Sequence, residues 1–110
     1  MNNNVTDITV VARLNAKPGR ENDFEMALRA AVAPTHAEAE CKRYIVHRSL
    51  EKPNQFVVVE RWASTDSLKA HLASEHIQTF FSKFPDLLEG APEVSTFEAL
   101  EEGGSPKGRW

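Results

Sequence analysis

The stretch that decides the fold is ITVVARLNA, residues 8–16, which Lys17-Pro18-Gly19 follows directly. Its apolar side chains fall on every second position, a period that predicts a β-strand with one buried face: Ile8, Val10, Ala12, Leu14 and Ala16. After the Lys-Pro-Gly stop the spacing changes to that of an amphipathic helix: Phe24, Ala27, Leu28, Ala31 and Val32. We expect this helix to run to about Ala39. Because Pro34 lies inside the pattern, we expect a kink near Ala30 and no second element.

Two further extended runs, residues 41–50 and 55–63, are separated by a polar turn of hairpin length. The run that begins at Gln55 is apolar on both faces, whereas the run before it carries several charged side chains. We therefore place the third strand in the centre of the sheet and the second at an edge.

Two serines, Ser64 and Ser74, are good N-caps for the helices that come next. The first helix would turn Leu68, His71 and Leu72 inward, and the second would bury Ile77, Phe80, Phe81 and Phe84. Pro85 should close this region, and residues 93–100 should form a second edge strand. The order β-α-β-β-α-(α)-β predicts an α+β fold of the ferredoxin-like split β-α-β type, a four-stranded antiparallel sheet with helices on one face.

The sheet face that the helices leave free would carry Val11, Val57 and Val59. A monomer should not leave such an apolar patch in water. We expect a second copy of the chain to cover it, which makes the protein a homodimer.

Composition narrows the function further. The chain has 110 residues, with 13 Lys and Arg against 16 Asp and Glu, and from its net charge of -3 we expect no nucleic-acid partner. A single cysteine excludes internal disulfides, and the absence of a signal-peptide pattern or a long apolar run predicts a cytoplasmic protein with no membrane partner. We expect an extension at 1–6, one domain at 7–100 and a tail at 101–110.

Several of these segments together resemble the antibiotic biosynthesis monooxygenase family: residues 8–14, Lys17-Pro18-Gly19, Val32-Ala33-Pro34, Cys41 with Tyr44, 56–62 and His71-Leu72-Ala73-Ser74-Glu75-His76. The resemblance covers about residues 7–100 and is strongest to the quinol monooxygenase-like branch, with Glu-x-Trp ending the third strand. It implies a dimeric α+β barrel that oxygenates a small hydroxylated aromatic or quinol with dioxygen. It also implies that no metal, flavin or haem cofactor takes part.

Such chemistry needs a base, and His76 and His71 are the candidates. His76 stands at the start of a predicted helix, whose positive end should keep the ring a neutral acceptor. His71 shares a helix face with Leu68 and should point toward the sheet, where a structural role is also open. No carboxylate has a sequence spacing that would complete a metal site with the two histidines.

The substrate pocket is expected to include one tryptophan, one tyrosine and three phenylalanines: Trp62, Tyr44, Phe80, Phe81 and Phe84. Glu60 lies two residues before Trp62 and therefore on the same face of the predicted strand. It would either lie near the pocket or form an ion pair with Arg13 or Arg43, and we expect the ion pair. Two other functions stay open. One is isomerisation or degradation of a small polar carbonyl signal, and the other is non-catalytic binding of a small ligand.

Overall fold

The computed structural model describes residues 7–110, so the expected extension at 1–6 lies outside the described residues. Its strands are β1 (Ile8–Asn15), β2 (Cys41–Arg48), β3 (Gln55–Trp62) and β4 (Glu93–Phe97). Its helices are α1 (Glu21–Ala30), α2 (Val32–His36), α3 (Thr65–Ala73), α4 (Glu75–Phe81) and α5 (Phe84–Leu87), and one 3₁₀ turn lies at Pro106–Gly108.

The four strands form one antiparallel sheet in the order β2-β3-β1-β4. The first and third strands are central and the second and fourth are edges, so the predicted ferredoxin-like α+β fold is confirmed. Register follows the alternating pattern, with Val10 opposite Glu60 and Leu14 opposite Phe56. The apolar residues at every second position of β1 and the residues opposite them on β3 therefore lie on the same face of the sheet, the face that the helices cover.

The first helical region differs from the prediction. A kink near Ala30 was expected, but α1 ends there and a separate helix, α2, follows with Pro34 as its third residue. The first turn of a helix tolerates proline because its N–H needs no intrahelical partner, so the chain restarts at Val32. Pro85 likewise lies in the first turn of α5, as its second residue, where it was expected to close the helical region.

The serines differ in how they cap their helices. Ser64 accepts from the backbone N–H of Ser67 in a capping box, as the sequence predicts. Ser74 occupies the N-cap position of α4, but its hydroxyl donates to the carbonyl of His71 at 2.6 Å and makes no cap bond. This hydrogen bond holds Ser74, the single residue that connects α3 to α4, against the last turn of α3.

The core lies between the sheet and the helices and is rich in aromatic side chains. Phe24 of α1 is fully buried and contacts Phe56 of β3, Phe80 of α4 and Phe84 of α5, with ring centroids 5.2 to 6.3 Å apart. This packing holds α4 at the distance from the sheet that leaves room for a cavity beside it. No helix among residues 7–110 has the length and hydropathy needed to cross a bilayer.

Candidate active site

A cavity of about 330 Å³ lies between the sheet and helices α3 and α4. Its size is at the lower end of the range for small-molecule sites, about 300–1,000 Å³. Most of its wall is apolar, and three polar side chains also reach it: Tyr44, Glu60 and His71. Leu72, Phe81 and Val94 line it too and are 43%, 36% and 62% exposed, so they mark its mouth.

His71 forms part of the cavity wall and is only 3% exposed. Its ring lies against the indole of Trp62, with centroids 4.4 Å apart. Its Nδ1 lies 2.7 Å from Oε2 of Glu38, while Nε2 has no hydrogen-bond partner among residues 7–110. Burial lowers the pKa of His71, and the hydrogen bond and charge of Glu38 act in the opposite direction. The expected orientation toward the sheet is confirmed.

Glu38 is the residue that the sequence analysis missed. It lies in the turn between α2 and β2, within a segment expected to be helical, and 33 positions before His71. The same oxygen, Oε2, is 2.7 Å from Nδ1 of His71 and 2.8 Å from Nε2 of His76. One carboxylate thus holds both histidines, and nothing in the local sequence pattern marks it.

His76 is about a quarter exposed and is not among the residues that line the cavity. It stands at the second position of α4, as expected, with Ser74 Oγ 3.3 Å from Nε2. The expectation of a ring nitrogen free to accept is wrong for Nε2, because a carboxylate oxygen only accepts hydrogen bonds, so Nε2–H is the donor to Glu38. His76 is connected to the cavity wall through Glu38, which also contacts His71.

A metal ion could be held at this cluster. The donor atoms of Glu38, His71 and His76 all lie within 4.8 Å of one another, and two imidazoles with a carboxylate suit zinc or a similar divalent ion. The sequence argument that no carboxylate would complete such a set is wrong, because the turn after α2 brings Glu38 in from outside the helices. The observed contacts, 2.7 and 2.8 Å, are hydrogen-bond distances between nitrogen and oxygen.

Two expectations were wrong: that Trp62 lines the pocket, and that Glu60 forms an ion pair. Trp62 is fully buried and does not line the cavity, and its indole N–H donates to Oε1 of Glu60 at 2.8 Å. Glu60 lines the cavity and makes no ion pair among the described residues. Arg13 and Arg43 occupy the opposite parity of their strands, on the other face of the sheet, so neither can reach it.

The remaining predicted pocket residues are brought to the same cavity. Tyr44 is buried on the helix-covered face, and its ring centroid lies 5.6 Å from that of His71. Phe80, Phe81 and Phe84 also line it, and the ring centroids of Phe80 and Phe84 lie 4.8 Å apart. Their roles toward a substrate stay a prediction.

The surroundings of Cys41 disfavour its thiolate form. Burial raises the pKa of its thiol to about 11, and the negative charges of Glu38 and Glu60 add to this effect. The thiolate is therefore negligible at neutral pH.

Comparison with known proteins gives one consistent family. The model of the family described as antibiotic biosynthesis monooxygenase matches residues 7–83. The chain is 27% identical to YcnE of Bacillus subtilis, provisionally named a monooxygenase, over 86% of this chain and 99% of that protein. The crystal structure of PA3566 from Pseudomonas aeruginosa is 30% identical with a TM-score of 0.84, covering 90% of this chain and 99% of the other. The structure of Rv0793 from Mycobacterium tuberculosis is 26% identical with a TM-score of 0.82, covering 90% and 100%.

Proposed function

The chain belongs to the antibiotic biosynthesis monooxygenase family, and we propose that it oxygenates a small hydroxylated aromatic or quinol with His71 as the base and no cofactor. The observation that carries the proposal is the hydrogen bond from Nδ1 of His71 to Glu38, next to an apolar cavity. Provisionally named monooxygenases among its relatives support the reaction type.

The hydrogen bond sets which nitrogen of His71 can act as a base. Because the carboxylate of Glu38 accepts the hydrogen bond from Nδ1–H, Nε2 keeps its lone pair, on a side chain that lines the cavity. Burial lowers the pKa of the ring, which keeps it neutral and able to accept a proton at neutral pH. After proton transfer, the negative charge of Glu38 stabilises the imidazolium.

The apolar cavity then favours reaction with dioxygen. A phenolate that has lost its hydration shell is a stronger electron donor, so attack of a ring carbon on dioxygen becomes easier. The resulting peroxide anion takes the proton back from His71 to give a hydroperoxide. The ring carbon that carries the hydroperoxide then loses its hydrogen as the O–O bond breaks. The hydrogen and the outer OH group leave together as water, and the carbon becomes a carbonyl. One oxygen atom enters the product and one leaves as water, and the substrate supplies all four electrons.

Dimerisation is also part of the proposal. Val11, Val57 and Val59 lie on the sheet face away from the helices and are half-buried, and Ile45 and Phe97 extend this patch at 45% and 52% exposure. A second copy placed sheet to sheet would cover it. Light scattering of the native protein should give twice the chain mass, and Val59→Asp should give a monomer, because the dimer would bury an unpaired charge. A folded native monomer at micromolar concentration would contradict this part.

Oxygen consumption tests the reaction. Incubation with naphthohydroquinone under labelled dioxygen should place one labelled atom in the product, and His71→Gln should lower the rate by about 10²- to 10⁴-fold. Glu51→Gln, an exposed turn variant, is the matched control. Isomerisation of a hydroxycarbonyl without oxygen uptake would instead support the alternative enzyme, and tight binding without turnover would support a ligand-binding protein.

A further inference from the structure

Glu60 is a buried carboxyl group without a cation. It is 6% exposed on central strand β3, and no Lys or Arg in residues 7–110 forms a salt bridge with it. Its one hydrogen bond comes from the indole of Trp62 to Oε1. Burial of such a group is costly unless something else satisfies it. The fold alone does not account for a glutamate at this position.

The second oxygen, Oε2, has no hydrogen-bond partner among the described residues, and the side chain lines the cavity. Tyr44 is the cross-strand neighbour of Glu60 on β2. Its hydroxyl also lacks a partner within residues 7–110, and its ring reaches the same wall. The ring centroids of His71 and Tyr44 lie 5.6 Å apart, and Trp62, which donates to Glu60, lies against His71 at 4.4 Å, so the three polar side chains are neighbours in the cavity wall.

We propose that Glu60 and Tyr44 form a second hydroxyl-binding subsite, which selects aromatic substrates that carry two hydroxyl groups. This inference rests on the proposed function, because it assigns the first hydroxyl to His71. The cavity then presents two acceptors, Nε2 of His71 and Oε2 of Glu60, and one donor, the Tyr44 hydroxyl. A diol supplies two O–H donors and an oxygen acceptor and so satisfies all three groups.

The same groups reject carboxylates. A ligand carboxylate in this subsite would place a second negative charge beside Glu60 in a site that excludes water. Burial, followed by the charge of Glu60, raises the pKa of Tyr44 far above its ordinary value, so the phenol keeps its proton and donates. The apolar remainder of the wall accommodates the ring system.

Anaerobic calorimetric titration at pH ~8, above the pKa of about 7 to which burial raises Glu60, tests the subsite with the carboxylate ionised and without turnover. The ligands are naphthohydroquinone, its monomethyl ether and the corresponding hydroxynaphthoate. The native protein should bind the diol roughly 10- to 100-fold more tightly than the ether, as expected for a hydrogen bond to a charged acceptor, and should not bind the acid. Glu60→Leu should reduce the ratio of diol affinity to ether affinity to about threefold or less. Glu60→Gln should, in addition, bind the hydroxynaphthoate.

Tyr44→Phe is the second variant, in case the changes at Glu60 affect folding. It should weaken the binding of the diol and of the ether alike by about two- to tenfold, because both ligands offer an oxygen that accepts from the Tyr44 hydroxyl. Glu51→Gln should leave all three affinities unchanged. An unchanged diol-to-ether ratio in both Glu60 variants, or unchanged affinities in Tyr44→Phe, would overturn the subsite. Preserved selectivity with no oxygen consumption would instead refute the proposed function.

Discussion

Replacing Glu60 by glutamine should stabilise the free protein, by an amount that grows as the pH rises. Glutamine keeps the acceptor for the Trp62 N–H and has nearly the shape of the carboxylic acid. It removes only the negative charge that the native side chain develops in a buried position. The substitution therefore isolates the cost of ionising one carboxyl group at the cavity wall.

The magnitude follows from the pKa. Burial raises the pKa of Glu60 from 4.5 to about 7, with the Trp62 hydrogen bond acting in the opposite direction. The folded state therefore binds this proton more tightly than the unfolded chain, and the free energy of unfolding decreases as the pH rises from about 4.5 to about 7. At about 1.4 kcal/mol for each pH unit, the full penalty is about 3 kcal/mol and applies above that window.

Urea unfolding of both proteins across this pH range measures the effect. The variant should exceed the native protein by less than about 1 kcal/mol at pH ~5 and by about 3 kcal/mol at pH ~8. In a domain of this size, that gain corresponds to a rise in melting temperature on the order of 10 °C. Glu51→Gln, at an exposed turn, should show no such trend. A difference that does not depend on pH would refute the assignment of Glu60 as a buried, unpaired carboxyl group.

Phe24→Ala should lower the free energy of unfolding by about 3–5 kcal/mol, because the ring is fully buried among three others, whereas the 69% exposed Met26 should tolerate alanine within about 0.5 kcal/mol in the same urea titration. His76→Ala should slow oxygen consumption by less than tenfold, since His76 does not line the cavity; a loss as large as that in His71→Gln would place the base at His76 instead. Treatment with a chelator should leave the turnover rate unchanged, and added zinc should inhibit by competing for Nδ1 of His71; loss of activity with the chelator would show that Glu38 and the histidines hold a required metal.

The fold could be predicted from the sequence because alternation and helical spacing are local patterns. The alternation along β1 places Leu14 on the buried face, where it lies opposite Phe56 of β3. The apolar run after Gln55 correctly marks a central strand. The break at Ala31 was not predictable from Pro34 alone, since proline is equally compatible with a kinked helix and with the first turn of a new one.

The site was only partly predictable. His71 faces the sheet because it shares a helix face with Leu68, but Glu38 comes from a turn whose position depends on tertiary packing. The error at Glu60 was avoidable. Its parity matches that of Trp62 and is opposite to that of Arg13, so an ion pair across the same face was excluded by the alternation itself.

The most direct test of the central claim, that His71 takes a proton from a hydroxylated aromatic, is an anaerobic absorption spectrum of the bound ligand. Naphthohydroquinone bound to the native protein near neutral pH should show the long-wavelength band of its anion, and the band should be lost in His71→Gln while the ligand still binds. Glu38→Gln should weaken the band, because the glutamine no longer stabilises the imidazolium. An anion band that persists at full strength in His71→Gln would contradict the account.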